Sequence, residues 1–140
     1  MAKKISDLIK VPENPFHPLV FVNGQPEIGQ GVAIGFFSEV NAKGAKVKIG
    51  DNCDIASFVS INVADSHKRA IEQADEIERK DITLEKNVFV GSHCFIGGGV
   101  EIGHHSIIAA GTIITKPVKI PPYSLVVGNP AVVKEGYYQK

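Results

Sequence analysis

Aliphatic residues recur along this 140-residue chain at a fixed step of six. Counted from Leu84, the step lands on Leu84, Val90, Ile96, Ile102, Ile108, Ile114, Ile120, Val126 and Val132. It also runs earlier, through Ile28, Ile34 and Val40 and again through Ile49, Ile55 and Ile61. The phase slips between Val40 and Ile49, where Lys43, Gly44 and Lys46 predict a bulged corner. The residue after an anchor is often small, as at Gly35, Gly50, Gly91, Gly97 and Gly103. The fourth residue after it is again small or aliphatic, as at Ser38, Cys53, Val59, Cys94 and Thr112. A period of six matches neither the 3.6 of an α-helix nor the 2 of an alternating strand. It fits a short strand and a corner, repeated, with one aliphatic side chain per strand turned inward. Three such units make a triangular coil, and stacked coils pair as parallel strands about 4.8 Å apart. Each coil buries its anchors only against its neighbours, so stability accumulates along the stack. The pattern predicts an all-β solenoid of about five coils, and it leaves the handedness open.

Three segments break the period. The first twenty residues are non-repetitive, with Pro12, Pro15 and Pro18, and predict a cap or short helix over one open end. Between Ile61 and Leu84 lies an insertion over 67–80, highly charged, which predicts a loop projecting from the coil. Ile71, Ala74 and Ile77 share one helical face there, so a marginal helix is expected in part of it. A long excursion from a regular solenoid is usually functional or disordered. The expected organisation is a single domain over 1–140. A cap and lead-in (1–27) precedes the first coils (28–66), the protruding loop (67–80), the remaining coils (81–133) and a tail (134–140).

Composition removes several possibilities. Lys plus Arg and Asp plus Glu number 15 each, a formal charge of zero, which makes no electrostatic case for nucleic acid or an anionic membrane. The two cysteines, Cys53 and Cys94, are too few for a disulfide framework and lack metal-ligand spacing. No apolar stretch is long enough to span a bilayer, and Asp7, Lys10 and Glu13 keep the amino-terminal segment from being apolar. A reducing cytoplasm is the expected setting.

The most specific stretches are Gly91-Ser92-His93, then Ala109-Ala110-Gly111-Thr112-Ile113-Ile114-Thr115-Lys116, then Ile120-Pro121-Pro122, and finally Gly128-Asn129-Pro130-Ala131. With the repeat, over about Ile28 to Lys134, they resemble the hexapeptide-repeat acyltransferases, in the branch of galactoside, maltose and xenobiotic acetyltransferases. The resemblance implies a left-handed parallel β-helix, a homotrimer, and active sites in the clefts between subunits. It also implies a catalytic histidine at the base of the protruding loop, here in Asp65-Ser66-His67. His67 is the candidate general base. An acceptor hydroxyl or amine must lose a proton as it attacks a thioester, and an imidazole, which ordinarily titrates near roughly pH 6.5, suits that task. Asp65 is the candidate to orient the ring. For coenzyme A the resemblance implies a groove lined by Ser92, Ala110, Thr115 and Lys116, the lysine near a phosphate, with Lys134 also within reach of phosphate. Ser92 and Ala110 are eighteen residues apart, one full coil, so they are expected to stack on the same edge.

The expected function is transfer of an acetyl group from acetyl-coenzyme A to a hydroxyl or amino group of a sugar or nucleotide-sugar. The transfer is expected to be direct, with no metal and no covalent enzyme intermediate. Two alternatives share the fold: a zinc hydratase of the carbonic anhydrase type, and a scaffold that has lost its chemistry. The first needs three converging histidines, but His93 is followed five residues later by Gly98. His104 and His105 are read as polar corner residues, His93 as a possible member of the cleft, and His17 as part of the cap.

Overall fold

A computed structural model describes residues 14–16 and 18–140. His17 and most of the expected cap therefore lie outside the described residues. The first coil consists of β1 (Phe21–Asn23), β2 (Glu27–Ile28) and β3 (Ala33–Ile34), the second of β4 (Glu39–Asn41), β5 (Val47–Ile49) and β6 (Asp54–Ile55). The third opens with β7 (Ser60–Asn62). It then leaves the coil through β8 (Ala64–Asp65), a short helix α1 (His67–Ala70) and β9 (Glu78–Arg79), and resumes with β10 (Ile82–Leu84) and β11 (Phe89–Val90). β12 (Phe95–Gly97), β13 (Val100–Ile102) and β14 (Ile107–Ile108) make the fourth coil. β15 (Ile113–Ile114), β16 (Val118–Ile120) and β17 (Leu125–Val127) make the fifth, and β18 (Val132–Lys134) comes after it. The described residues thus form five coils, wound left-handed.

The register explains why the step of six is strict. On the face carrying β1, β4, β7, β12 and β15, called face A, Val22 pairs with Val40, Val40 with Ile61, Ile61 with Ile96, and Ile96 with Ile114. Face B stacks Ile28, Ile49, Leu84, Ile102 and Ile120 in the same way. Face C stacks Ile34, Ile55, Val90, Ile108 and Val126. Anchors therefore sit on anchors, and those from Val40 to Val126 are buried in one continuous cluster. A shift of one residue would turn every anchor to solvent. The small residue after an anchor has a steric cause: a Cβ on Gly91 would fall 2.5 Å from the Ala110 amide nitrogen of the next coil.

The corners obey a second rule that the hydrophobic pattern does not reveal. The third residue after an anchor turns the chain with positive φ, as at Phe37, Asn52, Phe58, Asn87, His93, His105 and Tyr123. One position later, the buried fourth residue closes the corner. Where it is polar it is satisfied: Ser38 Oγ donates to the Ala56 carbonyl at 2.7 Å and Ser124 Oγ to that of Pro121 at 2.6 Å. Among the described residues no buried side-chain nitrogen or oxygen lacks a partner.

Both interruptions fall at one corner, between faces A and B. The slip after Val40 and the excursion after Ile61 leave from it one above the other, and they are tied together. The Arg79 guanidinium donates to the Lys43 carbonyl at 2.6 Å, and the Lys46 amide donates to Asp81 at 2.8 Å. The loop stands on an antiparallel stem pairing Ala64 with Arg79 and Asp65 with Glu78. Its helix is a single turn at His67–Ala70 and does not include the expected face of Ile71, Ala74 and Ile77, with Ile71 exposed. Val132 continues the step of six but not the coil. β18 turns back antiparallel to β17, and Val132 is 57% exposed where the other anchors of its series are buried.

Candidate active site

The corner between faces A and B carries a cavity of about 280 Å³ lined by, among others, Asn62, Asp65, His67, Glu78, Lys80, Phe95, Gly97 and Thr115. The coil fixes its floor, because Asn62 and Gly97 are in register as the last residues of β7 and β12. The loop stem fixes its wall.

His67 begins α1 at the foot of the loop. Its backbone N–H donates to Asp65 Oδ1 at 3.0 Å, and the same oxygen lies 2.6 Å from the ring Nδ1. A carboxylate can only accept, so this contact requires a proton on Nδ1, and the neutral ring that meets it carries its lone pair on Nε2. The backbone N–H of His67, and then its ring, hold the Asp65 carboxyl below the usual carboxylate range. Asp65 is therefore ionised at neutral pH. Across the stem, Lys68 Nζ pairs with Glu78 at 2.8 Å, bracing the turn that carries the imidazole.

Of the residues expected to hold coenzyme A, Ser92 and Ala110 do stack: the Gly111 amide donates to the Ser92 carbonyl at 2.9 Å, one coil to the next. They occupy the corner between faces C and A. Thr115 and Lys116 come next, at the corner between A and B, where His67 is. A second cavity of about 260 Å³ lies beside the first, lined by Thr115, Lys116, Asn129, Pro130 and Ala131 among others. Thr115 lines both cavities. Ser92 and Ala110 line neither. Lys134 pairs opposite Leu125 on face C, with its ammonium 6.0 Å from the Tyr137 ring centre.

The remaining described histidines sit on other corners. His93 stacks on Phe58 at 5.0 Å, which stacks on Phe37 at 5.2 Å. His104 and His105 pack with Tyr123 between faces B and C. Among the described residues no group of three or more His, Cys, Asp or Glu is arranged to hold a metal ion. The thiols are equally remote: Cys53 and Cys94 donate to the Glu85 and Ala109 carbonyls at 3.1 and 3.0 Å, and burial pushes both thiols up. Among the described residues no helix is long and apolar enough to cross a membrane.

Periodicity and motif spacing do not single out Asn62, Glu78, Lys80 or Phe95. One signal was available for Asn62. Asn23, Asn41 and Asn62 each come directly after a face A anchor and stand in register in three successive coils.

Residues 81–116 match the family described as bacterial transferase hexapeptide (six repeats). The chain carries the hexapeptide repeat of these transferases. This hexapeptide-repeat chain is 40% identical over 92 residues to the galactoside O-acetyltransferase of Escherichia coli strain K12, covering 64% of the chain and 44% of the enzyme. It therefore spans less than half of that relative. Among solved structures it is similar to a galactoside acetyltransferase in complex with coenzyme A, at 31% identity and a TM-score of 0.59, covering 83% of the chain and 63% of the other. AntD, an N-acyltransferase from Bacillus cereus, superposes with a TM-score of 0.72 at 18% identity, covering 84% and 65%, a likeness of fold alone. Both galactoside relatives of the hexapeptide-repeat chain are acetyltransferases.

Proposed function

We propose that this chain transfers an acetyl group from acetyl-coenzyme A to a hydroxyl or amino group of a sugar or nucleotide-sugar, with His67 as general base. The observation that carries the reading is the position of Thr115. It joins the cavity of His67 to the cavity of Lys116, so a donor lying along Lys116 and Asn129 would bring its thioester to the imidazole. The lining fits a pantetheine arm on its chemistry: apolar side chains from Ile113 to Val133, a hydroxyl, a carboxamide for amide contacts, and one lysine at the rim for phosphate. Relatives point the same way, since one is a galactoside O-acetyltransferase and another binds coenzyme A.

In the proposed reaction the acceptor oxygen or nitrogen bonds to the thioester carbonyl carbon. The π pair of that carbonyl moves onto its oxygen, while the acceptor proton passes to His67 Nε2. Collapse restores the carbonyl and breaks the carbon–sulfur bond, and the proton returns from His67 to the departing thiolate. Asp65 holds the ring and offsets the charge of the transient imidazolium. Both cysteines are buried and engaged, which favours direct transfer over an acyl-cysteine. The division of the expected donor residues between two corners is accounted for if the molecule is a homotrimer: Ser92 and Ala110 of one copy would complete a groove begun by Thr115 and Lys116 of another. Lys134 is assigned to the phosphate end of that groove, and the working compartment is the cytoplasm.

The test is thiol release from acetyl-coenzyme A with a panel of amino- and hydroxy-sugars. His67→Ala should cut turnover at least about 100-fold and leave coenzyme A binding, measured by calorimetry, largely intact. Near-normal turnover in that variant rules out the base.

A further inference from the structure

We infer that Asn62 is a catalytic residue whose carboxamide N–H groups stabilise the oxyanion formed when the thioester is attacked. The inference rests on the acyl-transfer reading above and adds a role that nothing in the sequence assigns.

The orientation of the Asn62 amide is fixed by groups that can only donate. The Ala64 backbone N–H donates to Asn62 Oδ1 at 2.9 Å, so the atom facing it is the oxygen. One coil below, the Lys43 N–H donates to Asn41 Oδ1 at 3.1 Å, which turns the Asn41 NH₂ toward Asn62. Asn41 Nδ2 then donates to the same Asn62 Oδ1 at 3.0 Å. Both lone pairs of that oxygen are used. The Asn62 nitrogen, by contrast, has no protein acceptor among the described residues, and Asn62 lines the cavity of His67. A donor already aimed, with its other end locked by two hydrogen bonds, does not need to reorganise when charge develops.

The next coil supplies the space. In register above Asn62 is Gly97, and one coil further, just past the end of β15, is Thr115, whose Cα lies 3.6 Å from where a Gly97 Cβ would sit and which is shared by the two cavities. Strands are about 4.8 Å apart, so Asn62 and Thr115 stand roughly 10 Å apart, and Gly97 puts no side chain of its own between them. A Cβ at Gly97 would already lie 3.1 Å from the Phe95 ring and 3.2 Å from the Ile114 carbonyl. The gap is therefore a narrow notch walled on one side by the Phe95 ring, which a side chain at Gly97 would crowd. It is where a thioester arriving past Thr115 would present its carbonyl oxygen to the Asn62 amide. In the attack described above, the electron pair displaced from the carbonyl rests on this oxygen, and an N–H of the Asn62 carboxamide faces it until the carbon–sulfur bond breaks.

Two substitutions separate this from a structural role. Asn62→Asp keeps an oxygen for Ala64 and Asn41 and removes the donor; Asn62→Ala removes both. The assay is kcat and KM for thiol release, with melting temperature as the control for folding. Both variants should lose about 100- to 1,000-fold in kcat with little change in either KM. If Asn62→Asp retains wild-type turnover, the side chain only braces the corner and the inference is wrong. A raised acceptor KM at unchanged kcat would overturn it too, by making Asn62 an acceptor-binding group. His67→Ala, run alongside, reports on the acyl-transfer reading separately: loss there with unimpaired Asn62 variants removes this inference alone.

Discussion

Replacing Asp65 by asparagine isolates one electrostatic contribution to the proposed chemistry. An asparagine carbonyl can still accept from the His67 backbone N–H and from ring Nδ1, so the tautomer that frees Nε2 is retained. What disappears is the negative charge beside the imidazolium formed in the transition state. Two unit charges about 4 Å apart interact by about 1 kcal/mol in bulk water and about 4 kcal/mol at an effective dielectric of about 20. The His67 and Asp65 side chains are 57% and 55% exposed, so the watery limit governs. We expect a loss of about 1–1.5 kcal/mol, which is about 5- to 12-fold in kcat/KM. The assay is initial rates of thiol release at low and high ionic strength, with the deficit shrinking as salt screens the wild-type pair. Hydrogen bonds from His67 hold the Asp65 carboxyl below its ordinary range, so wild type should keep this advantage as pH falls through the mildly acidic region. Unchanged kcat/KM in Asp65→Asn would refute the reasoning, leaving Asp65 as an acceptor for a backbone amide. A fall of a thousandfold or more would refute the solvent-exposure argument.

Two further outcomes test the fold beneath the site. Ile102 is fully buried and Val132, on the same step of six, is 57% exposed. Ile102→Ala should therefore cost about 2–5 kcal/mol and Val132→Ala less than about 0.5 kcal/mol, read from chemical denaturation. Cys53 and Cys94 should resist a thiol reagent in the native protein and react once it is unfolded, as expected for buried thiols whose ionisation burial disfavours; rapid native labelling would contradict the packing.

The coil was legible because its cause is local and repeated. An aliphatic residue at every sixth position is what three-sided stacking requires, so Leu84, Ile102 and Ile120 could be placed on one face by counting alone. Ser92 over Ala110 came from a spacing of eighteen. The contact between Asp65 and His67 was less accessible, since two residues of separation bring side chains together only when a turn intervenes, and that turn depends on the loop stem. Val132 misled because periodicity reports side-chain spacing and not chain direction; Gly128 to Ala131 reverse the chain while preserving the step. Asn62 is not legible in the sequence for a different reason. Its meaning lies in what surrounds it across coils, in Asn41 below and Gly97 above, and those partners are 21 and 35 residues away.

The reversal at β18 has a consequence for assembly. Parallel stacking is self-propagating, because each completed turn offers the next the same row of backbone donors and acceptors. An unpaired terminal strand invites addition by another molecule. Along face C that row is met by β18, laid in the opposite sense, so the edge of β17 is both occupied and reversed. Parallel addition onto β17 is thereby excluded, because β18 already holds its edge.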